Sequence, residues 1–181
     1  MVIPPEFRNA HIRDLNIKLK EALKQRHPCQ GLLLHGSVGV GKTYTMCALV
    51  RDYICRRETA GKSCKRIVWD RFLINLRSTY DTYAASEAKT LQRYLDCDLL
   101  IIEDVGATTK GQESDYARRI LTTILDYRKE QEKPTFYTSN KNIDELAASF
   151  DNRIGSRLGM FLTIELGGRD KRQPLRPSET W

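Results

Sequence analysis

The run Gly36-Ser37-Val38-Gly39-Val40-Gly41-Lys42-Thr43 constrains this chain more than any other feature. It fits GxxxxGK[ST], and its setting fits as well. A short apolar stretch, 31–35, precedes it, and an amphipathic pattern over 42–57 follows it. Each residue type has a physical task. The glycines permit backbone angles that side chains forbid, so consecutive N–H groups can converge on phosphates. The helix that the loop opens adds an N-terminal dipole that favours anions. Lys42 would reach the β- and γ-phosphates of ATP, and the Thr43 hydroxyl would ligate Mg²⁺. Tyr44 completes the candidate nucleotide contacts. A loop of this kind needs a strand before it and a helix behind it, so the rest of the chain must supply an α/β fold.

The remaining pattern does so. A lead-in occupies 1–30, with Pro4-Pro5 as a breaker, a helix over 13–25, and His27-Pro28 ending it. Strands are predicted at 31–35, 65–70, 98–104, 134–139 and 161–166. Helices are predicted at 42–57, 71–80, 86–95, 114–131, 143–150 and 152–158. Strands alternating with helices predict a parallel five-stranded sheet covered on both faces, a three-layer α/β/α domain over 31–168. Right-handed crossovers put the ligand at the carboxyl ends of the strands. The basic, polar tail 169–181 is expected to be flexible.

Composition narrows the setting. The chain has 181 residues, enough for one domain. No apolar run approaches the ~18–20 residues of a membrane span. The N-terminus lacks the apolar core of a signal peptide, so the expected compartment is the cytoplasm. The five cysteines form no CxxC pair and no zinc-type cluster. They read as reduced thiols. The net charge is +7, and the stretch 51–77 holds eight Lys/Arg against three Asp/Glu. Such a surplus suits a phosphate-rich partner or a solvated surface equally well.

Three further groups carry chemistry. The stretch 98–104 is an apolar strand ending in Glu103-Asp104, the place where a P-loop enzyme sets acids near Mg²⁺ and the attacking water. The usual order is Asp then Glu. By position Glu103 falls on the metal side and Asp104 beside the water, with Asp one methylene short. This order predicts efficient ATP binding with slower hydrolysis. The strand 134–139 leads through Thr138-Ser139 into Asn140, which would lie beside the γ-phosphate and hold the water. Finally, Arg153 and Arg157 stand four apart on one helix face. An arginine aimed at a neighbour's γ-phosphate stabilises transition-state charge. The spacing alone favours a solvated pair, or salt bridges within the chain.

Taken together, these segments resemble the AAA+ family of DnaC/DnaI helicase loaders and the related IstB transposition ATPases. The resemblance spans nearly the whole chain. It includes Ile3-Pro4-Pro5-Glu6-Phe7-Arg8-Asn9, the glycine-rich loop, 98–106, Thr138-Ser139-Asn140, Arg153 through Leu158, and Glu165-Leu166-Gly167-Gly168-Arg169-Asp170. It implies an ATPase with little or no C-terminal lid, Asn140 as sensor 1, Arg157 as an arginine finger acting in trans on a second subunit, and Arg153 as its companion. It implies a replicative helicase as partner. It also implies that an insertion carrying Arg71, Arg77, Lys89 and Arg93 faces single-stranded DNA. Arg169 and Arg172 are the weak candidates for an adenine-side arginine. Two departures stand out: the Glu103-Asp104 order, and only about thirty residues ahead of the first strand. The runner-up is an IstB-like transposition ATPase acting on duplex DNA. A small-molecule P-loop kinase and an ATP-binding regulator with little turnover are the remaining alternatives.

Overall fold

The computed structural model describes residues 2–78, 84–107 and 112–171, with the side chains of 84–86 excepted. The tail expectation for 172–181, Arg172 included, lies outside the described residues.

Five strands form one parallel sheet: β1 (Leu32–His35), β2 (Cys64–Val68), β3 (Leu99–Glu103), β4 (Thr135–Ser139) and β5 (Leu162–Glu165). The spatial order is β2-β3-β4-β1-β5. β1, which feeds the glycine loop, is therefore flanked by β4 and β5, with Leu34 opposite Thr138 on one side and Ile164 on the other. The strands that end in Glu103 and Ser139 converge beside that loop. Leu99 to Ile102 and Leu32 to Leu34 have no exposed surface, as expected for strands covered on both faces.

Alternation along the strands sorts the core into two layers. Leu32, Leu34, Leu99, Ile101 and Phe136 pack on Met46, Leu49 and Val50 of α2 (Lys42–Cys55). Leu33, Leu100, Ile102 and Tyr137 face the other way. There they meet α3 (Trp69–Ser78), α4 (Ala84–Leu95), α5 (Asp115–Glu130), α6 (Ile143–Ser149) and α7 (Asn152–Leu158). The lead-in packs on the α2 side: Ala10, Leu15 and Leu19 bury against Cys47 and Ala48.

Most element ends differ from the sequence expectation by one or two residues, and two of the differences have a clear packing or capping cause. The strand expected at 65–70 ends at Val68, because Trp69 opens α3 and is fully buried beside Phe72 and Phe150. Tertiary packing of the indole outweighs its strand propensity. The helix expected over 13–25 starts only at Ile17, as α1 (Ile17–Lys24), where the Asn16 side chain accepts from the Leu19 N–H. Residues Ile12–Asp14 form a separate tight turn.

The starts of β2 and β3 are tied by one side-chain exchange. Ser63 N–H and Oγ–H both donate to Asp98 Oδ2 at 2.8 Å, and Asp98 N–H donates to Ser63 Oγ at 3.1 Å. These bonds hold the Asp98 carboxyl below its ordinary range. A depressed folded pKa adds stability above the unfolded value near 3.8, and that stability is lost as pH falls through the folded pKa. Asp98→Ala is expected to cost roughly 1 kcal/mol at pH 7, the low end because the carboxylate is partly solvated. The difference from wild type should shrink below about pH 4 in urea titrations. A pH-independent difference would remove the charge from this account.

Candidate nucleotide site

The loop between β1 and α2 is shaped by what packs on it. Gly36 (φ 142°) lies against the backbone of Leu166, so that a Cβ would collide with the Leu166 carbonyl. Helices α1, α5, α6 and α7 each begin with a side-chain cap, from Asn16, Ser114, Asn142 and Asp151. α2 has none: its N-cap is Gly41 (φ 103°). Its first N–H groups are therefore left for a ligand, and the helix dipole points there.

Lys42 crosses the loop. Its ammonium donates to Gly36 O at 2.7 Å, to Ser37 O at 2.8 Å and to Asn140 Oδ1 at 2.6 Å, and the residue is buried. One side chain thus joins the glycine loop to Asn140 at the end of β4. The tip, Ser37 and Val38, is exposed, whereas Val40 is buried. Thr43 is half-buried on the first turn of α2. Tyr44 turns away: its hydroxyl donates to Asp14 Oδ2 at 3.1 Å and its ring meets Phe7 edge-on. Its side chain anchors the lead-in, and only its backbone remains for a nucleotide.

The acid pair splits by environment. Glu103 follows Leu99 and Ile101 on the α2 face, and its charge is felt by Cys47, one turn beyond Thr43. It is 2% exposed and accepts from Arg66 Nη2 of β2. Burial pushes its carboxyl up, against the pull of Arg66. Burial also lifts the Cys47 thiol to about 11, with Glu103 assisting. Asp104 has a left-handed backbone (φ 58°), which Asp tolerates better than most residues. Its N–H donates to Thr138 Oγ1 at 3.1 Å, and Ser139 Oγ–H donates to Val105 O at 2.7 Å. Thr138 and Ser139, at the end of β4, therefore brace the loop that carries the acids.

Mg²⁺ in a P-loop site needs few protein ligands, because phosphates and waters supply the rest. Glu103 Oε1 is buried with no hydrogen-bond partner among the described residues. An acceptor left over in this position, on the face that carries Thr43, fits a hydrated cation.

Arg157 stands apart from the loop on α7. It makes a two-pronged pair with Asp126 of α5, Nε to Oδ1 and Nη2 to Oδ2, the latter at 2.8 Å. The pair raises the guanidinium pKa further. Arg153 is exposed, and its carbonyl accepts from Arg157 Nη1. Arg71, Arg77, Lys89 and Arg93 are all exposed on α3 and α4, with Arg77 stacked over Tyr116. Sequence reasoning missed Arg66 and Asp126. The signal available for Arg66 was a cation inside an apolar strand, and Asp126 carried none.

A β4 strand inserted between the loop strand and the acid strand, with Asn140 just past its end touching the loop lysine, defines the class: a P-loop NTPase of the AAA+ type. The matches then narrow it. The chain belongs to the bacterial DnaA ATPase domain family, whose model matches residues 2–165. The replicative helicase loader DnaC of Escherichia coli K12 is 27% identical over 126 residues, 70% of this chain and 49% of that protein. DnaI of Bacillus subtilis, also a replicative helicase loader, is 27% identical over 67% of this chain and 36% of its own. An ATP-binding protein of insertion sequence IS1162 from Pseudomonas fluorescens is 35% identical over 106 residues, 59% of this chain and 41% of that protein. The chain thus spans half or less of these curated relatives. Among solved structures, a DnaC helicase loader superposes with a TM-score of 0.72 at 22% identity, covering 91% of this chain and 100% of that one. A DnaI structure gives 0.71 at 25% identity, covering 93% and 94%. Among the described residues no helix is long and apolar enough to cross a membrane.

Proposed function

We propose that this chain is an ATP-driven switch in DNA replication that helps place a replicative helicase on single-stranded DNA. One observation carries the reading: Lys42 ties the phosphate loop to Asn140, and the acid pair ends the neighbouring strand, in a chain similar to two helicase loaders. Lys42 and the loop N–H groups would bind the phosphates. Thr43, Glu103 and Asp104 would hold Mg²⁺, which supplies charge neutralisation on the phosphates. Asn140 and Asp104 would hold the attacking water. Asp104 is short and fixed by its backbone bond to Thr138, so hydrolysis is slow and the bound state persists.

Arg157 would act in trans, completing the site of a second subunit. Its pair with Asp126 pre-orients the guanidinium on α7. The exposed cations of α3 and α4 would meet the DNA backbone, giving binding that weakens with salt. The similarity to the insertion-sequence protein supports a second reading, a transposition ATPase acting on duplex DNA with a transposase.

The test is ATP turnover against protein concentration, with no DNA, single strands or duplex. Turnover should rise with concentration and with single strands. Arg157→Ala should cost less than about 1 kcal/mol of stability, since the pair is partly solvated. Its turnover should nevertheless fall by about 10³-fold, the lower range for an arginine finger. Normal turnover in Arg157→Ala at every concentration would leave Arg157 a structural residue. Stimulation by duplex alone would move the transposition reading to the front.

A further inference from the structure

The segment leaving β5 folds back over the phosphate loop. Leu166 N–H donates to His35 O at 2.7 Å, continuing the ladder past the strand. The chain passes Gly168 (φ 130°) and returns, so that Lys171 N–H donates to Gly39 O at 2.9 Å. Asp170 comes down on Gly39 (φ 81°). A Cβ on that glycine would lie within 2.6 Å of Asp170 Oδ2 and closer still to Oδ1. The Lys171 ammonium lies 3.6 Å from the place of a Cβ on Gly41. One carboxylate and one ammonium from a single strap thus rest on the inner glycines of the loop.

This placement has an electrostatic consequence. Left-handed glycines and an uncapped helix start make the loop attractive to negative charge. Lys42 is turned toward Gly36 O, Ser37 O and Asn140. A triphosphate held by the same loop would set several negative oxygens beside the Asp170 carboxylate, and like charges at that range repel.

We propose that Asp170 is a built-in competitor of the nucleotide: the strap 167–171 holds its carboxylate on the phosphate loop, and a nucleoside triphosphate binds as that carboxylate lifts away. The proposal rests on the loop being a nucleotide site, and it adds the chain's own regulation of that site. Because Asp170 is exposed, solvent screens the repulsion, and the effect on affinity is moderate.

The experiment titrates a fluorescent ATP analogue, with Mg²⁺, into the wild type, Asp170→Asn, Asp170→Ala and Lys42→Ala. Amide hydrogen exchange at Lys171 is followed with and without ATP. Both Asp170 variants should bind about 3- to 10-fold more tightly than the wild type. The Lys171 amide, bonded to Gly39 O, should exchange faster once ATP is added, and should not respond in Lys42→Ala. Equal affinity in the Asp170 variants, or an unmoved Lys171 amide, overturns the proposal while binding that depends on Lys42 keeps the nucleotide site. Weaker binding also overturns it and makes Asp170 a direct nucleotide ligand. Absence of binding in the wild type and both Asp170 variants removes the site reading and the proposal together.

Discussion

Lys42→Ala is expected to bind ATP at least ~100-fold more weakly than the wild type and to show no turnover, while staying folded. The ammonium sits at the junction of three acceptors: two loop carbonyls and the Asn140 amide oxygen. Removing it deletes the charge that would meet the phosphates. It also unties Asn140 from the loop, so two features of the site fail at once. The loop carbonyls keep solvent access near the exposed tip, so the stability cost should stay near 1–3 kcal/mol. Isothermal titration with ATP and Mg²⁺ measures the first effect, and urea denaturation the second. Retained affinity in a folded Lys42→Ala would mean that the loop does not bind phosphate through this lysine. Asn140→Ala then serves as a partial copy: it removes one acceptor and keeps the charge.

The largest stability effect should come from a residue far from the nucleotide. Arg128, near the end of α5, is 1% exposed and forms no salt bridge among the described residues. Its guanidinium donates instead to the carbonyls of Leu95 (2.8 Å), Cys97 (2.7 Å) and Pro134 (2.8 Å), to those of Tyr94 and Asp98 at longer range, and to Thr135 Oγ1 (2.6 Å). These carbonyls lie where the chain leaves α4 for β3 and where it enters β4. One side chain satisfies backbone groups that the sheet cannot reach, and burial lowers its pKa. Arg128→Met fills much of the volume and donates nothing, so it strands several buried carbonyls. The expected loss is about 3–5 kcal/mol, seen as a lower urea midpoint at an unchanged slope. A loss under about 1 kcal/mol would mean that water replaces the guanidinium.

The parts of this protein that were legible in its sequence are those whose physics is local. The glycine spacing of 36–43, the apolar run 99–102 ahead of its acids, and the boundaries of α7 are set by backbone freedom, alternation and capping within a few residues. Asn140 was legible too, because its strand ends in register with the others, and the structure seats it on Lys42. The fate of Trp69 was not, since its burial against Phe150 depends on a helix eighty residues away in sequence.

Partnership across the fold escaped sequence reading for the same reason. Arg66 meets Glu103 across 37 positions, Arg157 meets Asp126 across 31, and Arg128 gathers carbonyls from both sides of β3. A lone Arg or Asp gives no sign of which partner it will find, because a charge is specified by its surroundings rather than by its neighbours in the chain. The sequence by itself determined the class of site, since a phosphate loop is written in consecutive residues. Only the tertiary structure decided how that site is tuned: which acid is buried, which arginine is held, and which carboxylate comes back to lie on the loop. Those depend on crossovers that bring distant segments within hydrogen-bonding distance.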